Sequence, residues 1–250
     1  MRKILFSLFI ISALAACKKD ETLRYNNLTM GNIHGNEIIS DQGNTFVITE
    51  SLFTVDLSEF KSERVMLSCD VLRETASKTY DIRLTGITSV LTKDIKTFAE
   101  TTEEEDLTVD DPIIIRDLWY AGGYLNMAIE VAQKKGSETP HYLNLVHDTM
   151  IGEDGKYTFL LRHNAQGEVP SEEDREFSTG SGYVSFPIAN YIKEDAAEIV
   201  LVWHSHKFMG SGYSLIQTEM LSHKANWERS GFEQNPSKSS KPSMIMARYN

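Results

Sequence analysis

The sequence predicts an all-β protein of two domains, and three observations support that prediction. Apolar and polar residues alternate with the period of two that half-buried strands show. No helix-period segment of useful length interrupts the strands of the first half. A run of acidic residues then separates the two halves. After loss of an expected leader, about 234 residues remain, which is enough for two small cores.

The first half of the chain, from Gly35 to about Ile95, is predicted to form a series of short strands. Thr45–Thr49 is rich in β-formers, and Arg64–Leu72 is a longer strand. In Thr79–Val90, apolar residues alternate with charged ones such as Asp81. Strands of this length and number predict a small barrel or sandwich.

The second half predicts a β-sandwich. It opens with Ile113–Ile115 and ends with the strand Tyr213–Thr218. The other predicted strands are 125–131, His141–His147, Tyr157–Arg162, Tyr183–Ile188 and Ile199–His206. A hairpin turn is expected at Glu153-Asp154-Gly155-Lys156, because Asp-Gly tolerates the positive φ values of a type I′ turn. About seven strands in roughly 110 residues is the count of an Ig-like sandwich.

The acidic run lies at residues 100–111 and contains seven carboxylates with no basic side chain. Self-repulsion predicts an extended, solvated linker between the domains. Calcium is the alternative explanation, but the spacing is not that of an EF-hand and no glycine turns the loop.

The N-terminus predicts a lipoprotein signal peptide. Arg2-Lys3 precedes an apolar run, Ile4–Ala13, that is too short to span a bilayer. Leu14-Ala15-Ala16-Cys17 is a lipobox. Cleavage before Cys17 would leave acyl chains such as palmitate on its sulfur and its new amino group. Dual acylation suffices for stable anchoring, and an ordinary signal peptide with a chance cysteine is the alternative.

The residues after the cysteine, Lys18-Lys19-Asp20-Glu21, refine the expected location. They resemble the export signal that Bacteroidota use to move lipoproteins to the outer face of the outer membrane. We therefore expect a cell-surface protein, and a solvated charged tether is the plainer explanation of the same residues.

The charge of the chain excludes one class of partner. It has 36 acidic and 25 basic residues and a formal net charge of −11. Loss of Arg2 and Lys3 with the leader would make the charge −13. A chain this acidic repels phosphate backbones, and no basic stripe interrupts it, so we expect no nucleic-acid binding.

The only cysteine besides Cys17 is Cys69, so no disulfide is expected within the lipidated chain. It lies in the apolar run Arg64–Cys69. This setting predicts a buried structural thiol, because a catalytic cysteine needs an electropositive environment that the sequence does not show.

Several motifs carry a resemblance to a known family. The segment DLWYAGGYLN at Asp117–Asn126, followed by His141–Val146, resembles the NigD-like lipoproteins of Bacteroidota. Tyr80–Arg83 and Val90–Lys93 resemble the end of that family's first domain. The likeness, over about residues 1–220, implies an OB-type barrel followed by a β-sandwich. The family is named for a bacteriocin gene cluster in which one member was considered an immunity protein, and it has no established catalytic or ligand residues to carry over.

The sharpest chemical motif is His204-Ser205-His206, at the end of an apolar strand. Residues two apart on a strand share a face, so both imidazoles could reach one metal. The motif resembles JAMM-type zinc isopeptidases, with Ser214 at the serine position, but Gln217 stands where that family has an aspartate ligand. We therefore expect surface histidines, while His163 or a neighbouring acid could still supply a third ligand.

The paired aromatics Trp119 and Tyr120, followed by Gly122-Gly123, are the other candidate site. They could stack against a sugar or a peptide as possible ligand contacts. Packing between the two domains is the favoured explanation, because large aromatics bury area and glycines allow close backbone approach.

Together these features predict a lipid-anchored protein of the outer membrane, at the cell surface, with a non-enzymatic binding or immunity-type role. No cofactor is expected, and the ligand is an unidentified peptide, protein or glycan. The alternative is a metal-dependent hydrolase that uses His204 and His206. The predicted divisions are a signal peptide 1–16, a tether 17–31, an OB-like barrel 32–98, an acidic linker 99–111, a β-sandwich 112–223 and a loose tail 224–250.

Overall fold

The computed structural model describes residues 23–103, 105–147, 156–171, 176–192, 198–208 and 213–223. The lipobox with Cys17, the export-signal residues 18–21, most of the predicted turn at 153–156 and the tail 224–250 lie outside these residues. Within the described residues there is no α-helix; the helical segments are the short 3-10 turns Leu57–Glu59, Phe98–Glu100 and Ala189–Tyr191. No helix in this part of the chain is long and apolar enough to cross a bilayer.

The first domain is a closed five-stranded barrel. Its strands are β1 (Leu23–His34), β2 (Glu37–Ser40), β3 (Thr45–Ser51), β4 (Arg64–Ala76) and β5 (Thr79–Ser89). They follow the order β1-β2-β3-β5-β4, with β1 and β4 closing the barrel and β3 parallel to β5. This is the strand order of an OB-type barrel. Its core includes Phe46, Leu67, Ile82 and Leu84, all at most 1% exposed.

The second domain is a sandwich of two four-stranded sheets. Its strands are β6 (Leu91–Thr92), β7 (Ile114–Ala121), β8 (Tyr124–Lys134), β9 (Tyr142–His147), β10 (Lys156–Asn164), β11 (Phe177–Pro187), β12 (Glu198–Phe208) and β13 (Tyr213–His223). One sheet has the order β13-β12-β10-β9 and the other β6-β11-β8-β7. Inward residues such as Met127, Leu145, Phe159 and Phe186 are fully buried between them. The predicted all-β class, with a barrel followed by a β-sandwich, is confirmed.

The first strand begins earlier than the sequence indicates. Leu23–His34 forms β1, whereas the sequence predicts a tether over residues 17–31. The register of β1 against β4 shifts between Tyr25 and Thr29. This irregularity spans Asn26-Asn27 and breaks the alternation by which a strand is recognised in a sequence.

The sandwich also begins earlier than expected. Leu91–Thr92 pairs in parallel with β11, and Ile95 packs in the sandwich core, although the sequence predicts that the barrel extends to residue 98. Lys96 then bridges to Val146 of β9. The chain therefore enters the second domain directly after β5.

Part of the acidic run packs against the sandwich instead of being solvated. Leu107 is completely buried, and the carboxylate of Glu105 pairs with Lys93 and Lys96. Burial opposes the charge of Glu105, but the hydrogen bonds from Lys96 and Lys93 outweigh it and hold the pKa of Glu105 below its usual value. The expectation of a solvated run is therefore wrong at this point, because cations outside the run neutralise it.

Candidate functional site

A buried apolar cluster joins the two domains. Met30 of β1, Met66 of β4 and Val90 come from the barrel side and pack against Trp119 of β7, which is 5% exposed. Ala121 and Tyr183 of the sandwich pack at the edge of this cluster. Trp119 therefore lies in the interface between barrel and sandwich.

Tyr120 points away from this interface, because neighbouring residues of a strand face opposite sides of the sheet. It is half-buried against the sandwich core, and burial raises the pKa of its hydroxyl. The two aromatics therefore do not form one stacking platform in this conformation. A ligand contact by Trp119 would require the domains to separate, and ligand binding by either residue stays a prediction.

Beside the apolar cluster, the side chain of Arg64 crosses the junction and is 1% exposed. Within the barrel, its two terminal nitrogens donate to the carboxylate of Asp41 at 2.9 and 2.7 Å, and Nη1 also donates to Asn32 Oδ1 at 3.3 Å. An arginine this buried requires a partner for each of its N–H groups. The barrel supplies three of those contacts.

The sandwich supplies the remaining partners of Arg64. Nη2 donates to Asn126 Oδ1 at 2.7 Å, and Nε donates to Ser185 Oγ at 2.8 Å. Ser185 Oγ in turn donates to Asn126 Oδ1 at 2.7 Å. The guanidinium also lies 4.0 Å from the ring centroid of Tyr124, which is a cation–π contact. One charged group thus holds residues of both domains in a fixed arrangement.

The hairpin between β7 and β8 explains why glycine follows the aromatic pair. Gly122 has φ +60°, and a Cβ placed on it would lie 2.5 Å from Asp41 Oδ1. The hairpin therefore lies too close to the carboxylate that pairs with Arg64 for a side chain to fit at this position. The close approach between domains that the sequence predicts is present at Gly122, whereas a Cβ at Gly123 would meet Ala189 of the sandwich itself.

Asp41 is the acid of the junction. Burial raises the pKa of its carboxyl above the ordinary 3.8, and the hydrogen bonds and charge of Arg64 act in the opposite direction. The sequence does not identify Arg64 and Asp41 as a pair, because they are 23 residues apart and have no recognisable spacing. The sequence signal for a buried charge is Arg64 itself, a basic residue at the start of an otherwise apolar strand.

His204 lies in a second polar cluster, on the outer face of the sandwich. Its Nδ1 donates to the backbone carbonyl of Asp110 at 2.9 Å and lies 3.6 Å from that residue's Oδ2. The same carboxylate pairs with Arg162, whose guanidinium lies 5.7 Å from the ring centroid of Phe98. Because Nδ1 carries the hydrogen, Nε2 of a neutral His204 is left as an acceptor.

The strand pairing bears on the metal alternative. His204 pairs with Thr218 and Ser205 with Gln217, and the register of β12 against β13 shifts between Ser205 and Lys207. The side chain of His206 is outside the described part of the structure. Among the described residues, no three His, Cys, Asp or Glu side chains converge as metal ligands. Metal binding by His204 and His206 stays a prediction.

His163, the other possible ligand, is occupied elsewhere. It is 2% exposed, and its Nδ1 lies 3.2 Å from the carbonyl oxygen of Pro112. On β10, Leu161 and His163 alternate with Arg162, so His163 belongs to the inner face while Arg162 contacts the outer cluster of Asp110.

Cys69 is buried inside the barrel, as the sequence predicts. Burial raises the pKa of its thiol to about 12, and the charge of Asp70 acts in the same direction. A thiol with so high a pKa is inert at neutral pH, because the thiolate is the reactive form.

The fold and the junction define a two-domain, all-β protein in which an OB-type barrel is joined to a β-sandwich. Residues 94–215 match the family model described as the NigD-like C-terminal β-sandwich domain. This match confirms, for the second domain, the resemblance to the NigD-like family that the motifs around Asp117–Asn126 predict.

Solved structures from Bacteroides share this fold. A protein of unknown function from Bacteroides vulgatus has 20% identity and a TM-score of 0.60, covering 85% of this chain and 95% of that one. A NigD-like immunity protein from Bacteroides caccae has 20% identity and a TM-score of 0.58, covering 80% and 96%. A candidate lipoprotein from Bacteroides fragilis has 12% identity and a TM-score of 0.53, covering 83% and 99%. At these identities the likeness shows the fold alone. No curated protein matches the chain.

Substitution of Gly122 by alanine should destabilise the protein more than the same change at Gly136. Both have positive φ, which costs alanine roughly 1–2 kcal/mol. Only at Gly122 does the new Cβ also meet Asp41, since nothing lies within 4 Å of the one at Gly136. Urea unfolding of both variants measures the difference, and equal losses would show that the hairpin does not press on Asp41.

Arg64→Met should cost about 3–5 kcal/mol, because it leaves Asp41 buried without its partner. Asp41→Leu added to Arg64→Met should cost less than the sum of the single changes, with a coupling of about 0.5–3 kcal/mol. The matched control is Arg73→Met, whose side chain is 73% exposed in its pair with Asp81, and it should cost at most about 1 kcal/mol. Additive losses at Arg64 and Asp41 in denaturant unfolding would contradict the pairing.

Proposed function

We propose that the protein is a lipid-anchored lipoprotein of the outer membrane, exposed at the cell surface, with a non-enzymatic binding role of the immunity type. The ligand we expect is a peptide, a protein or a glycan. The lipobox ending at Cys17 supports the anchor, and residues 18–21 support the location. The names of two structures of the same fold, an immunity protein and a candidate lipoprotein, agree with this role.

The observation that carries the binding role is an apolar pair displayed on the barrel. Directly after β3, Leu52 is 68% exposed and Phe53 is 40% exposed. The loop is held in place, because Leu52 N donates to Leu84 O at 3.1 Å and Phe53 N donates to Ser51 Oγ at 3.3 Å. Large apolar side chains presented to solvent on an ordered loop are suited to contact a partner with little loss of conformational entropy.

Several groups that could carry out chemistry are engaged in structural contacts. Cys69 lies inside the barrel, His204 is bonded to Asp110, and His141 and His163 are buried against each other at 3.1 Å. These contacts favour a binding protein over a hydrolase. The exposed apolar side chains of Leu52 and Phe53 are therefore the feature best suited to bind a partner.

Cys17→Ser should release the protein from membranes, because the acyl chains provide the anchor. Wild type and variant are expressed in a host that processes lipoproteins, and the membrane fraction is washed with carbonate before blotting. Incorporated palmitate label should disappear in the variant. Retention of the variant in the washed membranes would refute the anchor, and protease protection of the wild type on intact cells would refute the surface location.

A photo-crosslinking amino acid at Leu52 should capture a partner on intact cells. The matched control places the same amino acid at Lys78, an exposed residue of the β4–β5 turn. A defined adduct from position 52, absent at position 78 and lost when Phe53 is changed to Ser, is the expected result. Phe53→Ser should alter stability by only about 0.5 kcal/mol, as exposed substitutions usually do. Equal labelling at both positions, or none, would contradict a binding surface at this loop.

A further inference from the structure

The apolar pair, Leu52 and Phe53, is exposed although the loop that carries it is packed on the barrel. Residues 52–63 connect β3 to β4, and Val55 and Phe60 of this connection pack against the barrel core. Leu52 and Phe53 are 68% and 40% exposed with the sandwich docked beside the barrel. The connection therefore buries part of its apolar surface in the fold and presents the rest to solvent, as a binding surface requires.

The chain around the apolar pair is acidic. Residues 50–63 contain four carboxylates and one basic residue, Lys61. Glu50 is paired with Arg83, whose Nε lies 2.6 Å from Glu50 Oε2. The other three acids are exposed, and they are Asp56, Glu59 and Glu63. Exposed charges of one sign favour partners of the opposite sign and disfavour partners of their own.

Asp56 keeps its negative charge in mild acid. Its Oδ1 accepts from Ser58 Oγ at 2.6 Å and from Ser58 N at 2.9 Å, and these bonds lower the pKa of its carboxyl. Asp56 follows Phe53 by three residues, which span at most about 11 Å of chain. That distance is comparable to the Debye length of about 10 Å at 0.1 M salt, so the charge acts on any group that binds at the apolar pair.

The apolar pair and the start of β1 lie at opposite ends of the barrel. Strands β1, β3 and β5 run in one direction, because β1 and β3 are each antiparallel to β2, and β3 is parallel to β5. Leu23 therefore begins β1 at the end that also carries the β4–β5 turn, whereas residues 52–63 leave β3 at the other end. The seven residues of β3, tilted by about 40°, separate the two ends by about 15 Å along the barrel axis.

The link from the proposed anchor to the barrel is short. Leu23 is the sixth residue after Cys17, and six residues span at most about 20 Å when fully extended. With the anchor at Cys17, the end of the barrel where β1 begins is held near the membrane. The end that carries the apolar pair is then turned away from the membrane, and a partner reaches it from outside without entering the bilayer.

We propose that this end of the barrel binds a polypeptide that has both apolar and basic side chains and approaches from the side away from the membrane. Its apolar side chains bury Leu52 and Phe53, and its basic side chains pair with the exposed acids of the same connection. An uncharged glycan supplies no cation for these acids. This inference narrows the ligand class of the proposed binding role and rests on that role.

The first test measures binding of a defined probe, a fluorescent peptide of leucine and lysine, to the released full chain that carries Cys17→Ser. The same peptide with glutamate in place of lysine should not bind. Binding of the lysine peptide should weaken at least about tenfold in Phe53→Ser and about threefold to tenfold in Glu59→Lys. The matched control is Glu74→Lys, an exposed residue in the half of β4 that leads to the opposite end of the barrel, and it should bind like the parent protein.

Two outcomes of this titration would overturn the proposal. Equal binding of the lysine and glutamate peptides would show that charge does not select the partner. Equal losses in Glu59→Lys and Glu74→Lys would show that the acidic chain as a whole attracts the peptide, without a site at the apolar pair. Binding of the released protein to phosphatidylcholine vesicles that is lost in Phe53→Ser would also overturn it, because the bilayer would then be the occupant of this surface.

The second test uses the adduct captured at position 52 on intact cells. Glu59→Lys should reduce its yield, and Glu74→Lys should not. An unchanged yield in Glu59→Lys would refute the basic partner and leave the binding role standing, whereas absence of any adduct would refute the binding role and this inference with it. A flexible insertion of about twenty glycine and serine residues after Glu21 should leave the yield unchanged. Loss of the adduct on this insertion would place the partner in the membrane and overturn the direction of approach.

Discussion

The fold depends on one buried charge, the guanidinium of Arg64. All five of its N–H groups can be assigned: Nε to Ser185, Nη1 to Asn32 and Asp41, and Nη2 to Asp41 and Asn126. Removing such a charge from water is costly unless every donor is satisfied. Since the partners come from both domains, that condition is met only when barrel and sandwich are docked. A buried ion pair is weak support for stability, but here it specifies one arrangement of the domains.

The surrounding structure follows from that requirement. Strand β4 is buried on both faces from Arg64 to Val71, because one face fills the barrel and the other, at Arg64 and Met66, meets the sandwich. The β7–β8 hairpin needs Gly122 because any side chain there would meet Asp41. Trp119 packs against Met30, Met66 and Val90 in the apolar cluster of the same junction. Asp117–Asn126, which carries the family resemblance in the sequence, is therefore the segment that docks the two domains.

The sequence predicted the class of fold well, because period-two alternation is a local signal and β5, β8 and β10 show it. It failed where the signal is interrupted, as at Asn26-Asn27 in β1, or where a strand is as short as Leu91–Thr92. It also failed for the acidic run, because composition does not reveal that Lys93 and Lys96 neutralise Glu105. The Arg64 network could not be predicted, since its members are distant in the chain and only the tertiary fold brings them together.

Two buried polar centres, Asp41 at the junction and His141 in the sandwich, should respond to protons in opposite directions. At the junction, burial raises the pKa of Asp41, and the hydrogen bonds and charge of Arg64 act in the opposite direction. A raised pKa contributes stability below the unfolded value of 3.8 and loses it as the pH rises through the folded value. His141 has a lowered pKa, so its contribution is lost as the pH falls. By this linkage, mild acid reduces the contribution of His141 to stability and not that of Asp41.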